Sequence, residues 1–356
     1  MFKYFFFYIL FSSISLSQTT SDVRIKQEGG VFLFGETHFV KEKYREIKSF
    51  VIEHFDSVSS GETATIFFEL PFSLNYAFSK MKTEGDTSLF YDWFNHLYQK
   101  KDQPPSYFWT DCRDFILELK QYAENKGIDL KLKAIDTELE YRRTAFVLSS
   151  FQNKLDTRID SFLNVEYMRN DSTEREFLLN YINESLHYTN SSVEVEILKK
   201  LRHSLLIDCS VCLDRDKYMY NNFLNYFNKN DALSIGTFGL DHITEQHDFS
   251  AAGEFFKMKY KIDTVAYKSF YTLLKDELNK PVFRIGILSL NQAIMNTTIQ
   301  KPQYYNHIML EKEREYIESL LKNKKVIRIH PFEHEELRNL STHLDYIIVY
   351  KISDFR

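Results

Sequence analysis

The ten residues VFLFGETHFV, at positions 31–40, decide where the sheet is built and where its chemistry lies. The apolar run from Val31 to Gly35 is typical of a strand that is buried on both faces. An acid and a histidine, Glu36 and His38, follow the run at once. Since an acid and an imidazole together make a poor helix cap, the stretch predicts a functional site at the carboxyl end of a buried strand.

A second stretch, IGTFGLDHI at positions 235–243, repeats this arrangement much later in the chain. Its apolar run also ends at a glycine, Gly239, and an acid and a histidine follow as Asp241 and His242. In open α/β sheets, ligands bind beyond the carboxyl ends of the strands. The two stretches are therefore predicted to contribute to one site.

The rest of the chain alternates between strand-like and helix-like segments. Further apolar runs of strand length occupy Thr65–Leu70, Leu130–Asp136, Ala232–Thr237, Asp263–Lys268, Val282–Leu288, Val326–Ile329 and Tyr346–Lys351. Amphipathic segments predict helices between them, for example at Lys41–Phe55, Thr110–Lys126, Glu138–Phe162, Glu174–His187, Val193–Ile207 and Asp214–Asn228. Strands separated by helices favour parallel pairing. The sequence thus predicts an α/β fold, with a mostly parallel central sheet flanked by helices.

The first residues of the chain predict an export signal, and the remaining residues predict a single domain. The first residues, MFKYFFFYILFSSISLSQ, have the layout of a secretory signal that is cut after Ser17. Their apolar run is shorter than the roughly 20 residues of a membrane-spanning helix, so no stable membrane span is expected after signal removal. Residues 18–356 are expected to form a single α/β domain, with a helical insertion or cap at about 138–230. The mature protein is expected to be exported, and periplasmic or secreted.

Charge and cysteine content exclude several classes of function. The net charge is −5, and acids and bases are interleaved, so no basic stripe predicts nucleic-acid binding. The expected partner is a small-molecule or peptide substrate. Three cysteines do not make a disulfide framework in so long a chain. We interpret Cys209 and Cys212 as small buried side chains of a helix, and Cys112 as a lone buried thiol.

Two more acids end predicted strands, Glu69 and Asp136. Both have an ordinary alternative as helix-capping acids, since Pro71 follows the first and Thr-Glu-Leu-Glu follows the second. On loops after parallel strands, however, both carboxylates would converge on the site predicted from Glu36 and His242.

These motifs resemble one known superfamily, that of the erythromycin esterases, the TraB and Tiki-type proteases and the ChaN-type haem-uptake proteins. The resemblance lies in the two Gly-x-x-His motifs that begin at Gly35 and Gly239, and in the strand-ending Glu69 between them. It extends to Asp214–Met219, which is similar to the Arg-Asp-x-x-Met helix of the esterases, and to the final run His343–Lys351. The doubled Gly-x-x-His is closer to the Tiki and TraB form, so the branch stays open.

The resemblance implies a hydrolase that activates water on an ester or amide substrate. The catalytic residues that it implies are Glu36, His38, Arg45, Glu69 and His242. His38 is the candidate base because an imidazole titrates near neutral pH, and Glu36 or Glu69 would orient it. His242 would polarise the carbonyl or act as an acid. The residues expected to bind substrate are Asp136, Arg215 and Asp241.

Two alternatives use the same site differently. His38, His242 and Glu69 would suit one divalent transition metal, which would then generate the nucleophile. The resemblance to ChaN implies instead a haem- or ligand-binding protein without catalysis, in which Tyr76 or Trp109 would line the groove.

One competing motif lies far from these residues. His330-Pro-Phe-Glu-His334 has the form H-x-x-E-H, which is an inverted zinc-protease signature. That chemistry requires both histidines on one helix, and Pro331 ends the apolar run before it. We therefore predict a strand-to-helix turn at this place.

Overall fold

The computed structural model describes residues 30–36, 42–96, 107–138, 141–151, 159–160, 172–207, 212–244, 268–290 and 308–351. Within these ranges, a seven-stranded sheet has the order β3-β2-β4-β1-β5-β7-β6. Its strands are β1 (Val31–Glu36), β2 (Thr63–Pro71), β3 (Asp129–Asp136), β4 (Leu233–Gly239), β5 (Val282–Ser289), β6 (Val326–Ile329) and β7 (Tyr346–Tyr350). Every neighbouring pair is parallel except β6 and β7. The predicted α/β fold with a mostly parallel sheet is confirmed.

Helices cover both faces of this sheet. They are α1 (Lys43–Phe55), α2 (Leu74–Thr83), α3 (Ser88–His96), α4 (Tyr107–Lys126), α5 (Tyr141–Ser149), α6 (Ser172–Tyr188), α7 (Ser192–Leu206), α8 (Cys212–Tyr226), α9 (Leu240–Ile243), α10 (Phe270–Glu277), α11 (Glu311–Leu321) and α12 (Leu340–His343). Two 3₁₀ turns, Pro331–Glu333 and Glu335–Leu337, lie between β6 and α12. The described part of the predicted helical block at 138–230 is helical up to the end of α8.

The buried apolar residues form one cluster on each face of the sheet, because side chains alternate along each strand. Phe32 and Phe34 of β1 point into the cluster that α1 and α4 cover. Val31 and Leu33 point into the other cluster, which α8, α10 and α11 cover. A strand with both of its faces buried explains the continuous apolar run that identified β1 in the sequence.

Gly35 is required by the way in which α9 packs onto β1. A Cβ atom at position 35 would collide with the side chain of Ile243, and would lie 3.1 Å from Cα of Leu240. Both of these residues belong to α9, which begins directly after Gly239 and contains the rest of the second glycine motif. Because Gly35 of the first motif has no side chain, α9 of the second motif can pack directly against β1.

The helices named from the sequence as examples do not include every long helix, and one of them was predicted too long. The helices α2, α3, α10 and α11 were not named, although each is amphipathic. A helix was expected over Glu138–Phe162, whereas α5 ends at Ser149. The strand predicted at Asp263–Lys268 falls almost wholly outside the described residues. Among the helices described, none combines the length and apolar character needed to cross a membrane.

Candidate active site

The two glycine motifs meet at the carboxyl edge of the sheet. β1 and β4 are adjacent, and their register pairs Glu36 with Gly239. β2 lies on the other side of β4, and it ends near Glu69. The backbone N–H of Gly239 donates a hydrogen bond of 2.5 Å to Oε2 of Glu69. This bond joins Glu69, near the end of β2, to the start of the second motif, as expected for neighbouring parallel strands.

Arg215, at the start of α8, connects the acids of this edge. Its Nε and Nη2 atoms donate to the two oxygens of Asp136, at 2.8 and 2.6 Å. The same Nη2 lies 2.5 Å from Oε1 of Glu69. The third nitrogen, Nη1, lies 3.4 Å from Nε2 of His242. The planar guanidinium thus contacts three predicted site residues that come from β2, β3 and α9.

His242 is held on both of its ring nitrogens. Its Nδ1 lies 2.5 Å from Oδ1 of Asp216, and its Nε2 lies 3.3 Å from Oε1 of Glu69. The other oxygen of Asp216 accepts a hydrogen bond of 2.9 Å from the backbone N–H of Phe270. Sequence reasoning passed over Asp216, although its position beside Arg215 in α8 is the signal that would have identified it.

These contacts determine the charge of the imidazole. Burial alone would lower the pKa of His242, but the neighbouring carboxylates of Asp216 and Glu69 outweigh burial and hold the pKa well above its ordinary value. The carboxylates thus favour the protonated imidazole, which carries an N–H on each ring nitrogen. It is suited to donate a hydrogen bond or a proton rather than to act as a base.

Exposure separates the residues that can touch a ligand from those that support them. The side chains of Arg215, Glu69 and His242 are 19%, 12% and 10% exposed. Those of Asp136 and Asp216 are 3% and 0% exposed. A ligand at the sheet edge can reach the first three, whereas the two aspartates act through Arg215 and His242.

A second, separate ion pair lies at the end of β1. Oε1 of Glu36 accepts a hydrogen bond of 2.9 Å from Nζ of Lys43, in the first turn of α1. Both side chains are almost fully buried, at 2% and 6% exposure. A cation in the first turn of a helix is disfavoured by the helix dipole, so the pattern gave no reason to expect this partner.

Comparison with known proteins was made by sequence and by structure. No family model matches the sequence, and no curated protein matches it significantly. By structure, the chain superposes on an erythromycin esterase variant in its open conformation with a TM-score of 0.56. The match covers 94% of each chain at 14% identity. The chain therefore shares the fold of that esterase.

Two other solved structures share this fold. One is a Bacillus cereus protein, with a TM-score of 0.51 and 11% identity. The other is a succinoglycan biosynthesis protein, with a TM-score of 0.51 and 12% identity. Each match covers 94% of this chain and 91% of the other. At such identities the structural likeness establishes the fold alone, and the chemistry must be argued from the residues.

The structure does not bring every predicted residue into the cluster around Arg215. Arg45 is 67% exposed in its side chain, and its Nη2 donates to the hydroxyl of Tyr350 on β7 at 3.1 Å. Asp241 is exposed on α9. His38 lies outside the described residues, two positions beyond Glu36.

The described donors do not fit a divalent metal ion at Glu69 and His242. Both oxygens of Glu69 and Nδ1 of His242 already have hydrogen-bond partners at 2.5 Å. Glu69 and His242 contact each other at 3.3 Å, and the guanidinium of Arg215 contacts both, so that its positive charge opposes a cation at this place. Across the described ranges, no group of three or more histidine, cysteine or acidic side chains is arranged to hold a metal.

Several other sequence-based interpretations can be compared with the structure. His330 ends β6, and its Nδ1 contacts the carbonyl of Asp345, whereas Nδ1 of His334 contacts Tyr316. The 3₁₀ turn between these histidines agrees with the predicted strand-to-helix turn.

Cys112 is a buried free thiol, as predicted. Cys209 and the side chain of Cys212 lie outside the described residues.

The interpretation of Tyr76 as a haem-groove residue was wrong. Tyr76 is 2% exposed, and its hydroxyl donates to Oε1 of Glu194 at 3.1 Å. Its phenol is therefore committed to the contact between α2 and α7 and is not presented to a ligand. The side chain of Trp109, the other aromatic residue considered for this role, lies outside the described residues.

Proposed function

We propose that the protein is a hydrolase that cleaves an ester or amide bond at the carboxyl edge of the sheet. The observation that carries this proposal is the approach of Nη1 of Arg215 to Nε2 of His242, at 3.4 Å. Both groups are cations, so neither can accept a hydrogen bond from the other. Two such donors side by side favour a shared acceptor, and a carbonyl oxygen that becomes negative during hydrolysis is an acceptor of this kind.

Glu69 and the two buried aspartates preorganise these donors. Glu69 accepts from Arg215 and from Gly239 N–H, which fixes its carboxylate at the edge of β4. Asp136 holds the guanidinium in its plane by two hydrogen bonds. Donors that are already aligned need not reorganise when charge develops, and such preorganisation is the main source of electrostatic catalysis.

We assign the role of general base to His38. It follows Glu36 by two residues, and Glu36 is paired with Gly239 across the β1–β4 ladder. β1 therefore ends at the edge where Arg215 and His242 lie, and the residues that follow a strand in an open α/β sheet commonly bind the ligand. An imidazole takes a proton from water near neutral pH, and His242 would return a proton to the leaving group. As a part of the same proposal, residues 1–17 act as an export signal.

The proposal is tested by turnover of a panel of activated esters and anilides with the mature protein. His38→Ala and His242→Ala are expected to abolish turnover while the circular dichroism spectrum and the Tm of His38→Ala stay at wild-type values. His330→Ala is the matched control, because β6 is antiparallel to β7 and its histidine lies at the opposite edge of the sheet. Full turnover by His38→Ala would show that the assigned site is wrong.

A further inference from the structure

A hydrogen bond that the mechanism above does not use fixes the end of the helix that carries His242. The hydroxyl of Ser269 donates at 2.6 Å to the carbonyl oxygen of Thr244. Thr244 directly follows α9, and Ser269 directly precedes α10. Both residues are buried, so water does not compete for this bond. The bond therefore joins the end of α9 to the start of a helix that lies 25 positions further along the chain.

The helix α9 depends on such contacts because it is only four residues long. A single helical turn is not stable by itself, since fixing its backbone costs more free energy than its own hydrogen bonds return. At the start of α9, the N–H of Gly239 is bonded to Glu69. At its end, the carbonyl of Thr244 is bonded to Ser269. The ring of His242 lies between these two fixed points, so its direction depends on both.

The residue after Ser269 holds the acid that contacts His242. The backbone N–H of Phe270 donates at 2.9 Å to Oδ2 of Asp216, whose Oδ1 lies 2.5 Å from Nδ1 of His242. This N–H belongs to the first turn of α10, so the helix dipole also favours the negative charge of Asp216. The ring of Phe270 packs against Phe238 of β4, with 4.6 Å between the ring centroids. Two consecutive residues thus fix both the acid and the helix that carries the imidazole.

The hydroxyl of Ser269 is itself held in one orientation. As the N-cap of α10, its Oγ accepts a hydrogen bond of 3.2 Å from the N–H of Thr272. The same Oγ lies 3.0 Å from Oγ1 of Thr272. A hydroxyl offers one proton and two lone pairs, so these contacts and the bond to Thr244 use its full capacity. Capping α10 requires only the bond from Thr272, and it does not explain the bond to Thr244.

We propose that Ser269 is a positioning residue of the reaction centre, which holds α9 so that the ring of His242 stays on Asp216. This role rests on the proposed function, because a proton donor must already be aligned with the atom that receives the proton. Ser269 acts through His242 and does not touch the substrate. With its ring fixed in this way, His242 need not reorient when charge develops on the substrate.

The first test follows the ring of His242 by NMR titration and does not depend on turnover. Ser269→Ala removes the hydroxyl, so the contact of His242 with Asp216 loosens and the pKa of His242 is expected to fall toward its ordinary value. Ser269→Thr keeps a hydroxyl and is expected to retain the wild-type pKa. Ser191→Ala, which removes the N-cap serine of α7, is the matched control and should leave the pKa unchanged.

The second test measures kcat and KM separately with an activated ester. Ser269→Ala is expected to lower kcat about tenfold and to leave KM unchanged, as for an alignment that matters only in the transition state. Ser191→Ala should change neither constant, although loss of a helix cap should lower its Tm as in Ser269→Ala. An unchanged His242 pKa in Ser269→Ala would overturn the positioning role, and Ser269 would then be only a helix cap. A His242 pKa that falls as expected in a protein without hydrolase activity would retain the hold on the ring and contradict the proposed hydrolysis.

Discussion

Nη1 of Arg215 lies 3.4 Å from Nε2 of His242, although both side chains are cations. Three carboxylates, those of Glu69, Asp136 and Asp216, contact this pair and offset the repulsion. Asp136 and Asp216 are almost fully buried, so water cannot take over their contacts with the pair. Removing either carboxylate therefore has a large cost in free energy. The geometry of the pair therefore depends on its acidic neighbours, and the first predictions concern them.

Asp216→Asn is expected to lower the pKa of His242 and to reduce kcat/KM by roughly 100-fold, the usual value of an aligned proton donor. An amide still occupies the space, but it no longer stabilises an imidazolium. The measurement is the pH dependence of the His242 ring resonances by NMR, together with the pH profile of kcat/KM. Asp276→Asn, at an exposed ion pair with Lys268, is the control. An unchanged His242 pKa in Asp216→Asn would contradict the assignment of its cause.

Arg215→Lys is expected to retain the positive charge and yet to lose about 100-fold in kcat/KM. An ammonium group cannot bond to both oxygens of Asp136, to Glu69 and to a substrate oxygen in one plane. The free energy of unfolding should also fall, by about 3 kcal/mol, because buried carboxylates lose their partner. Urea denaturation and steady-state kinetics measure the two effects. Arg314→Lys on the surface should change neither, and wild-type kinetics in Arg215→Lys would mean that charge alone suffices.

Gly35→Ala is expected to destabilise the protein by about 2 kcal/mol through overpacking against Ile243. Ile243→Ala should remove most of this penalty, so the double mutant should be less destabilised than the sum of the two single changes. The measurement is a double-mutant cycle by chemical denaturation. Additive effects in the cycle would show that α9 does not pack onto β1 as described.

Glu138→Gln is expected to change how stability depends on pH. Burial raises the pKa of Glu138 from 4.5 to about 7, although the N–H of Ser73 and the charge of Arg143 act to lower it. A carboxyl with a raised pKa contributes stability that is fully present below about pH 4.5 and is lost as the pH rises through about 7. Glu138→Gln has no carboxyl to ionise, so it does not lose stability in this way. The difference between its free energy of unfolding and that of the wild type should therefore rise by up to about 3 kcal/mol between pH 4.5 and pH 8.

The measurement for Glu138 is urea denaturation of both proteins at several pH values. Glu124→Gln, at a glutamate on the surface of α4, is the matched control and should follow the wild-type curve. If the Glu138→Gln and wild-type curves ran parallel, Glu138 would have an ordinary pKa in the folded protein.

Metal removal is expected to leave turnover unchanged. Arg215 contacts both Glu69 and His242, and its positive charge would repel a divalent cation bound to these two side chains. The measurement is elemental analysis of the purified protein and turnover before and after dialysis against a chelator. A stoichiometric metal that is lost in His242→Ala would contradict the proposed arrangement.

Sequence patterns predicted the strands well because β1, β5 and β7 are buried on both faces and therefore read as continuous apolar runs. They also predicted that Glu69 and His242 would meet, since the carboxyl ends of parallel strands lie at one edge. They did not single out α2 and α3, although both helices are amphipathic. The link between Asp216 and His242 was missed because no periodicity relates two residues that are far apart in the chain and meet only in the fold.

The sequence by itself determined the α/β class, the buried strands and the set of acids and histidines that end them, because these depend on local hydrophobic periodicity and strand order. Only the tertiary structure decided which charges pair. It placed Arg215 among Glu69, Asp136 and His242, gave Lys43 to Glu36, and moved Arg45 to Glu46 and Tyr350. The reason is physical: the energy of an ion pair depends on distance and burial, which are set by the packing of elements far apart in the chain.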